Sequence, residues 1–160
     1  MFMGGEFGQW KEWDHDSSLD WELLNRESHS GLQKWVGDLN KIYRSYPALY
    51  CRDLDEQGFE WIDCENVEES VLAFIRKGDK ESEQMVIVLN FTPTPRFNYE
   101  IGVPESGLWN EVLNSDAKDY GGSGIGNMGG VTASPKPRHD KPFSLKLNLP
   151  PLSAIFLSKD

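Results

Sequence analysis

The stretch SVLAFIRKGDKESEQMVIVLN, residues 70–90, decides the fold class of this chain. Two runs rich in β-branched and aromatic residues, 70–76 and 85–90, flank a polar segment that contains Gly78 and Asp79. Such residues fit a pleated, half-buried surface, so each run predicts a strand. Further strands are predicted at 59–62, 98–103, 108–113, 143–149 and 154–157. Because these strands follow one another without a helix, the pattern predicts an antiparallel β-sandwich.

Upstream of the strands the apolar residues recur at helical spacing. One face carries Leu32, Trp35, Val36, Leu39, Ile42, Tyr43 and Tyr46. His29 or Ser30 is the expected N-cap, and Pro47 is expected to end the helix. We expect this face to pack on a sheet, with Trp35 in the core. A short helical turn is predicted just before it, at residues 19–24.

Two regions follow from these patterns, with a boundary near residue 48. Residues 49–160 are predicted to form the sandwich, which makes the chain mainly β. Within it, residues 114–142 are rich in Gly, Pro and Ser and predict a long surface loop that becomes ordered only if something covers it. Trp109 begins a strand and is expected to pack in the core.

Composition excludes several classes of function. The formal net charge is -10, without a Lys/Arg cluster, so a nucleic-acid partner is not expected. No apolar run approaches the roughly 20 residues of a membrane span, and no secretory signal opens the chain. Two cysteines, Cys51 and Cys64, are too sparse for a disulfide scaffold, so free thiols and a cytoplasmic location are predicted.

The segment MFMGGEFGQWKEWDHDSSLDW, residues 1–21, combines three of the six tryptophans with several carboxylates. Flat apolar faces beside strong hydrogen-bond acceptors suit a sugar ring, which offers C–H groups for stacking and hydroxyls around its edge. The apolar run Met1–Met3 reads as the end of a buried strand with nothing before it to pair with. The sequence therefore predicts a carbohydrate ligand and a chain that begins inside a larger fold.

Candidate binding residues come from this segment and from one predicted strand. Trp61 lies beside Glu60 and Asp63 and shares a strand face with Phe59, so it is a candidate exposed platform for a glucan chain, with core packing as the alternative. Trp10 and Trp13 are candidates for the same role. Glu6 and Gln9 are candidates for shaping the rim of the cleft through hydrogen bonds, with a purely structural role as the alternative.

Two motifs invite other functions. Residues 124–129, GIGNMG, satisfy GxGxxG, but no helical pattern follows and Pro135 and Pro137 come soon after, so no dinucleotide cofactor is predicted. Asp14, His15 and Asp16 could ligate a metal. A solvated loop, with Asp16 or Ser17 capping the next turn, is the preferred interpretation, and no metal is predicted.

The chain resembles a known family along its whole length. GGEFGQW and EWDHDSSLDW, then GLQKWVGDLNKIYRSYPAL, GFEWIDCEN, SVLAFIRK, VLNFTPTPR, WNEVLNSD and LPPLSAIFL, are similar to the C-terminal part of bacterial 1,4-alpha-glucan branching enzymes of the alpha-amylase superfamily, glycoside hydrolase family 13. The resemblance implies that residues 1–48 are the remnant of a (β/α)8 barrel, comprising the end of the last strand, a loop and the last helix. It also implies that the catalytic aspartate nucleophile and glutamate acid/base lie on earlier barrel strands that this sequence does not match.

The resemblance therefore implies no catalytic residue in this chain. It implies an α-glucan partner, glycogen or a maltooligosaccharide, and a missing N-terminal barrel. The complete protein would transfer glucan chains to form α-1,6 branches, whereas these 160 residues are expected to be inactive alone. A stand-alone carbohydrate-binding module and a purely structural module are the alternatives. Self-association through an exposed barrel-facing surface is a further expectation.

Overall fold

A computed structural model describes residues 2–159, which form a helix packed on a β-sandwich. The helix α1 spans Glu27–Ser45. The strands are β1 (Phe59–Asp63), β2 (Val71–Lys77), β3 (Gln84–Asn90), β4 (Arg96–Val103), β5 (Gly107–Asn114), β6 (Gly130–Ala133), β7 (Phe143–Leu149) and β8 (Ser153–Ser158). Short 3₁₀ turns lie at Gly5–Phe7, Trp21–Asn25, Pro47–Leu49, Glu56–Gly58 and Lys118–Tyr120. The turn predicted at residues 19–24 corresponds to Trp21–Asn25.

The strands form two sheets whose pairings are all antiparallel, which confirms the predicted fold class. Six strands make the larger sheet in the order β1-β2-β3-β8-β5-β6, and β4 pairs with β7 in the smaller one. The C-terminal strand β8 lies in the middle of the larger sheet, between β3 and β5. The strand β8 therefore joins β1-β2-β3 to β5-β6 within the larger sheet.

The core lies between the two sheets and follows the period-two pattern of the strands. Val71, Ala73 and Ile75 of β2 face inward toward Leu145 and Leu147 of β7, and all five are fully buried. Burying each large aliphatic side chain contributes about 1.5–3 kcal/mol relative to exposure. Trp109 is also fully buried, as predicted. Its indole N–H donates to the backbone oxygen of Glu105 at 3.2 Å, so burial leaves no donor unpaired.

The strand β3 is buried on both faces, which explains its nearly continuous apolar sequence. Val86 and Val88 point into the inter-sheet core, while Met85 and Ile87 face the opposite side. On that side they contact the C-terminal half of α1 and the turn Pro47–Leu49, where Ile42 and Tyr46 pack. The predicted packing of the helix on a sheet is confirmed. The prediction that Trp35 lies in the core is wrong, because it is only half-buried between the rings of Tyr120 and Phe156.

The predicted C-terminal end of α1 is correct, but the predicted N-terminal end is not. The helix ends at Ser45, directly before the Tyr46–Pro47 pair, as predicted. It begins at Glu27, so the predicted cap at His29 or Ser30 is wrong, and Arg26 at the cap position makes no side-chain capping bond. His29 is instead buried in the first turn, where its Nδ1 lies 2.8 Å from the backbone oxygen of Phe7. The polar ring of His29 therefore serves a tertiary contact with Phe7 and does not cap the helix.

The Gly-rich segment 114–142 is more ordered than a surface loop. The strand β6 pairs with β5 across Leu108 and Trp109, and this strand was missed because only four residues form it. Gly130 permits the approach, since a Cβ there would lie 2.7 Å from the backbone oxygen of Trp109. Earlier in the segment the Tyr120 hydroxyl donates to Asp38 of α1 at 2.9 Å. The helix therefore covers this segment at Tyr120, and pairing with β5 orders it at β6.

The N-terminal segment enters the fold through turns. Met1, the first residue of the predicted strand end, lies outside the described residues. Met3 and Gly4 form a turn, and none of the strands described in residues 2–159 pairs with them. Within that same range no helix combines the length and apolar character needed to cross a membrane.

Candidate functional site

An exposed aromatic cluster, the β1 patch (Phe59, Trp61 and Phe74), lies on the outer face of the larger sheet. The rings of Phe59 and Trp61 meet edge to face with centroids 4.8 Å apart. Phe74 of β2 stacks against Phe59 at 5.2 Å and meets Trp61 edge-on at 5.9 Å. Trp61 keeps 48% of its surface exposed, so it is a surface residue and the core-packing alternative is not what the structure shows.

Strand geometry explains why the β1 patch faces outward. β1 is the edge strand of the larger sheet, and Ile62 points into the core while Phe59 and Trp61 point away from it. Trp61 is the direct cross-strand partner of Phe74, so the two rings stand side by side on one face. Phe74 also packs against the buried cluster under α1. The patch therefore stands on a rigid support.

Charged groups beside the β1 patch are already paired. Lys77 and Lys141 both donate to the carboxylate of Glu60 on β1. Burial alone would raise the pKa of Glu60, but the hydrogen bonds from Lys141 and Lys77 outweigh it and lower this pKa. Glu60 is therefore ionised at neutral pH, and the two lysines balance its negative charge. It is not a protonated carboxyl group that could act as an acid.

A second aromatic surface, the N-terminal aromatic loop (residues 2–26), carries Trp10, Trp13 and Trp21. These tryptophans are 66%, 39% and 50% exposed. The Arg26 guanidinium lies 4.7 Å from the centre of the Trp10 ring, within the range of a cation–π contact. Trp13 meets the Phe2 ring edge to face at 5.1 Å. Most of the contacts of these rings are made within the loop itself.

The loop is attached to α1 through Phe7, whose backbone oxygen contacts His29, and through Trp10, whose ring meets the His29 ring edge to face with centroids 5.3 Å apart. Phe7 is fully buried and lies 5.4 Å from the Trp21 ring. Gln9 closes the loop internally, because its Oε1 accepts from the Asp20 backbone N–H at 2.9 Å and its Nε2 donates to the Lys11 backbone oxygen at 3.1 Å. Among residues 2–159, Glu6 has no hydrogen-bond or ion-pair partner, and it is half-buried.

The candidate residues thus fall on two separate structural supports. Glu6, Gln9, Trp10 and Trp13 belong to the loop, whereas Trp61 belongs to the sheet edge. Sequence reasoning placed Phe59 beside Trp61 but missed Phe74, because cross-strand register depends on tertiary pairing. It also missed Arg26, which lies sixteen positions after Trp10 but contacts its ring.

The GxGxxG motif has a structural explanation. β6, not a helix, follows it, and Gly124 and Gly129 adopt positive φ values of 82° and 94°. Asn127 is buried within the motif, where its Nδ2 donates to Glu111 of β5 at 2.6 Å and its Oδ1 accepts from the Asn148 backbone N–H at 2.8 Å. The segment therefore ties β5 to β7 and lacks the helix that a dinucleotide pyrophosphate requires.

The Asp14-His15-Asp16 group lies at the exposed tip of the N-terminal aromatic loop. One potential ligand atom from each residue falls within 4.8 Å of the others, and all three side chains are exposed. Asp14 accepts from the Asp16 backbone N–H and from the Ser17 hydroxyl, each at 3.0 Å, and these bonds lower its pKa. The predicted cap at Asp16 or Ser17 is wrong, since Asp20 precedes the next turn and makes no capping bond.

The two cysteines are free thiols, as predicted, and the structure shows that both are exposed. Desolvation, the largest effect, together with the neighbouring carboxylates Asp79 and Glu83, raises the pKa of the Cys51 thiol. A thiol with a raised pKa is a poor nucleophile at neutral pH, so Cys51 is not a candidate for covalent chemistry.

Comparison with known proteins gives close relatives. The chain is 52% identical over 160 residues to the 1,4-alpha-glucan branching enzyme GlgB of Aquifex aeolicus, covering all of this chain and 25% of that protein. It is 53% identical over 157 residues to GlgB of Aromatoleum aromaticum, covering 98% and 24% of the two chains. The chain thus spans about a quarter of the length of these relatives. The predicted resemblance to branching enzymes is confirmed.

Similarity to solved structures extends to another enzyme. Trehalulose synthase MutB from Pseudomonas mesoacidophila MX-45 superposes on 79% of this chain and 17% of its own, with a TM-score of 0.45 and 21% identity. A family model described as the alpha amylase, C-terminal all-beta domain matches residues 61–160, more than half of the chain, and these residues contain all eight strands except the start of β1. The chain belongs to the family of alpha-amylase C-terminal all-beta domains.

Proposed function

We propose that this chain is the C-terminal part of a 1,4-alpha-glucan branching enzyme. The observation that carries the proposal is the 52% identity to a protein of that name, which runs through the whole chain and covers 25% of the relative. In the proposed whole protein, residues 1–48 complete the catalytic barrel and residues 49–160 form the sandwich beside it. The enzyme cuts an α-1,4-linked chain through a covalent glycosyl intermediate and transfers it to a 6-hydroxyl.

The chain itself contributes no catalytic carboxylate in this proposal. A retaining transglycosidase needs two carboxyl groups about 5 Å apart across the scissile bond. We assign both to parts of the whole enzyme that this chain does not match. Purified residues 1–160 should therefore form no branches in amylose, and branch formation by this chain alone would overturn the assignment.

The role of the β1 patch is to hold an α-glucan chain. Sugar rings stack on aromatic faces, and Trp61 presents such a face on a supported strand at low conformational cost. The protein field is negative and repels polyanions, but a neutral glucan is unaffected by it. Trp10 and Trp13 form a second proposed contact surface. Glu6 and Gln9 shape its rim, Gln9 by closing the loop on Asp20.

Binding of maltoheptaose, measured by titration calorimetry, tests this role. Trp61→Ala should weaken binding about tenfold, because the stacking face is lost. Trp61→Phe is the matched control, since it keeps an aromatic face and should retain most of the affinity. Equal affinities for the wild-type protein and a folded Trp61→Ala variant would refute the role of Trp61.

Two other functions give different outcomes. A stand-alone carbohydrate-binding module would co-sediment with glycogen. Its affinity for glycogen would be the same when a barrel region was added. A purely structural module would bind no sugar and would associate only with a barrel supplied in trans. We also propose a cytoplasmic location, which the two free cysteines support.

A further inference from the structure

A tight turn lies beside the edge of β1, in the segment that the sequence predicted to be a loop. Arg138 and Lys141 pair through two backbone hydrogen bonds of 3.0 and 2.9 Å. The two residues between them, His139 and Asp140, have positive φ values of 47° and 58°. Two left-handed residues inside a two-residue hairpin define a type I′ turn, a conformation that His and Asp tolerate better than most residues. The turn therefore fixes where the imidazole points.

The turn is held against the smaller sheet at a point that requires glycine. A Cβ on Gly102 of β4 would collide with the backbone oxygen of Arg138, so the turn can approach only because none is present. Between the turn and the edge of β1 lies a cleft of about 390 Å³, within the usual size range of small-molecule sites. It is lined by residues 60–65 and 139–141, and Trp61 forms part of its wall.

Inside the cleft one donor and one acceptor face each other. The Nδ1 of His139 accepts from the Gly102 backbone N–H at 3.3 Å, which assigns the proton of the neutral ring to Nε2. That Nε2 lies 3.6 Å from Oδ2 of Asp63, too far for a good direct hydrogen bond. An oxygen atom could lie about 2.8 Å from both atoms, as a bridging hydroxyl or water does.

The surrounding residues keep the His139 ring neutral and hold the Asp63 carboxylate in a fixed orientation. Burial, the largest effect, lowers the pKa of His139, so the ring is neutral at pH 7. The Tyr99 hydroxyl donates to the same Asp63 oxygen at 3.3 Å and orients the carboxylate. The side chains of His139 and Asp63 are 20% and 14% exposed, enough to contact a ligand in the cleft.

We propose that this cleft is a glucan subsite continuous with Trp61. A sugar hydroxyl accepts from Nε2–H of His139 and donates to Oδ2 of Asp63, while a neighbouring glucose unit stacks on Trp61. A hydroxyl is the group that does both at once. An anion is disfavoured by Asp63, and Lys141 is already paired with Glu60. This inference rests on the proposed glucan-binding role of Trp61.

Maltoheptaose binding to the full 160-residue chain tests the subsite. Asp63→Asn keeps the shape and the Tyr99 contact but removes the charged acceptor, and His139→Gln removes the ring donor. Each should weaken binding about tenfold while Trp61→Ala gives its own separate loss. Asp119→Asn, an exposed acid paired with Lys34 away from the cleft, is the control and should bind as the wild type does.

A second measurement does not depend on any variant folding. On titration of the wild-type protein with maltoheptaose, the NMR signals of the His139 ring should shift, whereas those of buried His29 should stay in place. Full affinity in folded Asp63→Asn and His139→Gln, with Trp61→Ala impaired, would overturn the subsite and leave the Trp61 role intact. No binding by the wild-type protein, or no loss in Trp61→Ala, would overturn both.

Discussion

The two aromatic surfaces of this protein expose similar side chains on very different supports. The β1 patch lies on a paired strand, and Phe74 connects it to the cluster buried under α1. The N-terminal aromatic loop is built from turns. It is attached to α1 through buried Phe7, whose backbone oxygen contacts His29, and through the edge-to-face contact of Trp10 with the same histidine. Exposure alone therefore does not distinguish a sugar-binding surface from a surface that another protein region normally covers. The rigidity of the support does.

This difference assigns the two surfaces different roles. A preorganised ring binds a ligand without first being ordered, so the β1 patch suits a sugar chain. Large exposed rings on a loop built from turns are typical of a surface that another protein region covers. We propose that the barrel of the whole enzyme covers part of the loop and leaves Trp10 and Trp13 at the edge of that contact, where they remain open to the glucan.

Replacing the buried anchor should break the loop and spare the patch. Phe7→Ala should cost about 3 kcal/mol, because a fully buried ring is lost without a replacement. Hydrogen exchange should show faster exchange in residues 2–26 and the first turn of α1, with the strands unchanged. The exposed Phe2→Ala is the matched control and should cost under about 0.5 kcal/mol. Equal effects of the two variants would contradict the anchor role.

A smaller effect is expected where the segment after β5 holds the helix. Tyr120→Phe keeps the ring contact with Trp35 but removes the bond to Asp38, which should cost about 1 kcal/mol. Burial first, and the Asp38 bond second, raise the pKa of Tyr120 to about 12. An unfolded tyrosine ionises near pH 10.

This difference in pKa predicts a distinctive alkaline profile. Between pH 10 and 12 the folded chain holds a proton that the unfolded chain releases, so stability falls as pH rises through this window. Urea unfolding across the range should show the fall in the wild-type protein and a flatter profile in Tyr120→Phe. Identical slopes would show that the hydroxyl is not held by the helix.

Self-association of the purified chain tests whether the N-terminal aromatic loop is a surface that the barrel covers. Light scattering should show mass increasing with concentration, because the loop surface has no partner in solution. Trp10→Ser should reduce the increase, whereas Trp61→Ser should change it less. A concentration-independent monomer mass for the wild-type protein would count against an uncovered barrel-facing surface.

The smallest expected effect comes from His139, in the cleft at the edge of β1. Burial lowers its pKa below the unfolded value of about 6.5, so on acidification the unfolded chain gains this proton first. Stability should therefore fall as pH drops through 6.5 and level off below the folded pKa. His139→Gln should remove this component of the urea-unfolding profile, and a profile unchanged by the substitution would contradict the buried position of the ring.

Much of the fold followed from local pattern. The β-branched and aromatic runs of β2 and β3, the alternation in β7 and the helical face of α1 were readable because each signal extends over several consecutive residues. The four-residue β6 and the turn at residues 138–141 were not readable, since both depend on pairing with distant strands. His29 shows the same limit, because its burial is set by Phe7, 22 residues away.

The sequence by itself determined the β-sandwich, the packed helix and the resemblance to branching enzymes, since these depend on periodicity and on motifs in order along the chain. Only the tertiary structure decided which tryptophans stand on a firm support and which polar groups face one another across a cleft. Those relations join residues far apart in the chain, such as Trp61 with Phe74 and Asp63 with His139. Strand register and turn geometry set them, and neither is encoded in the neighbours of any one residue.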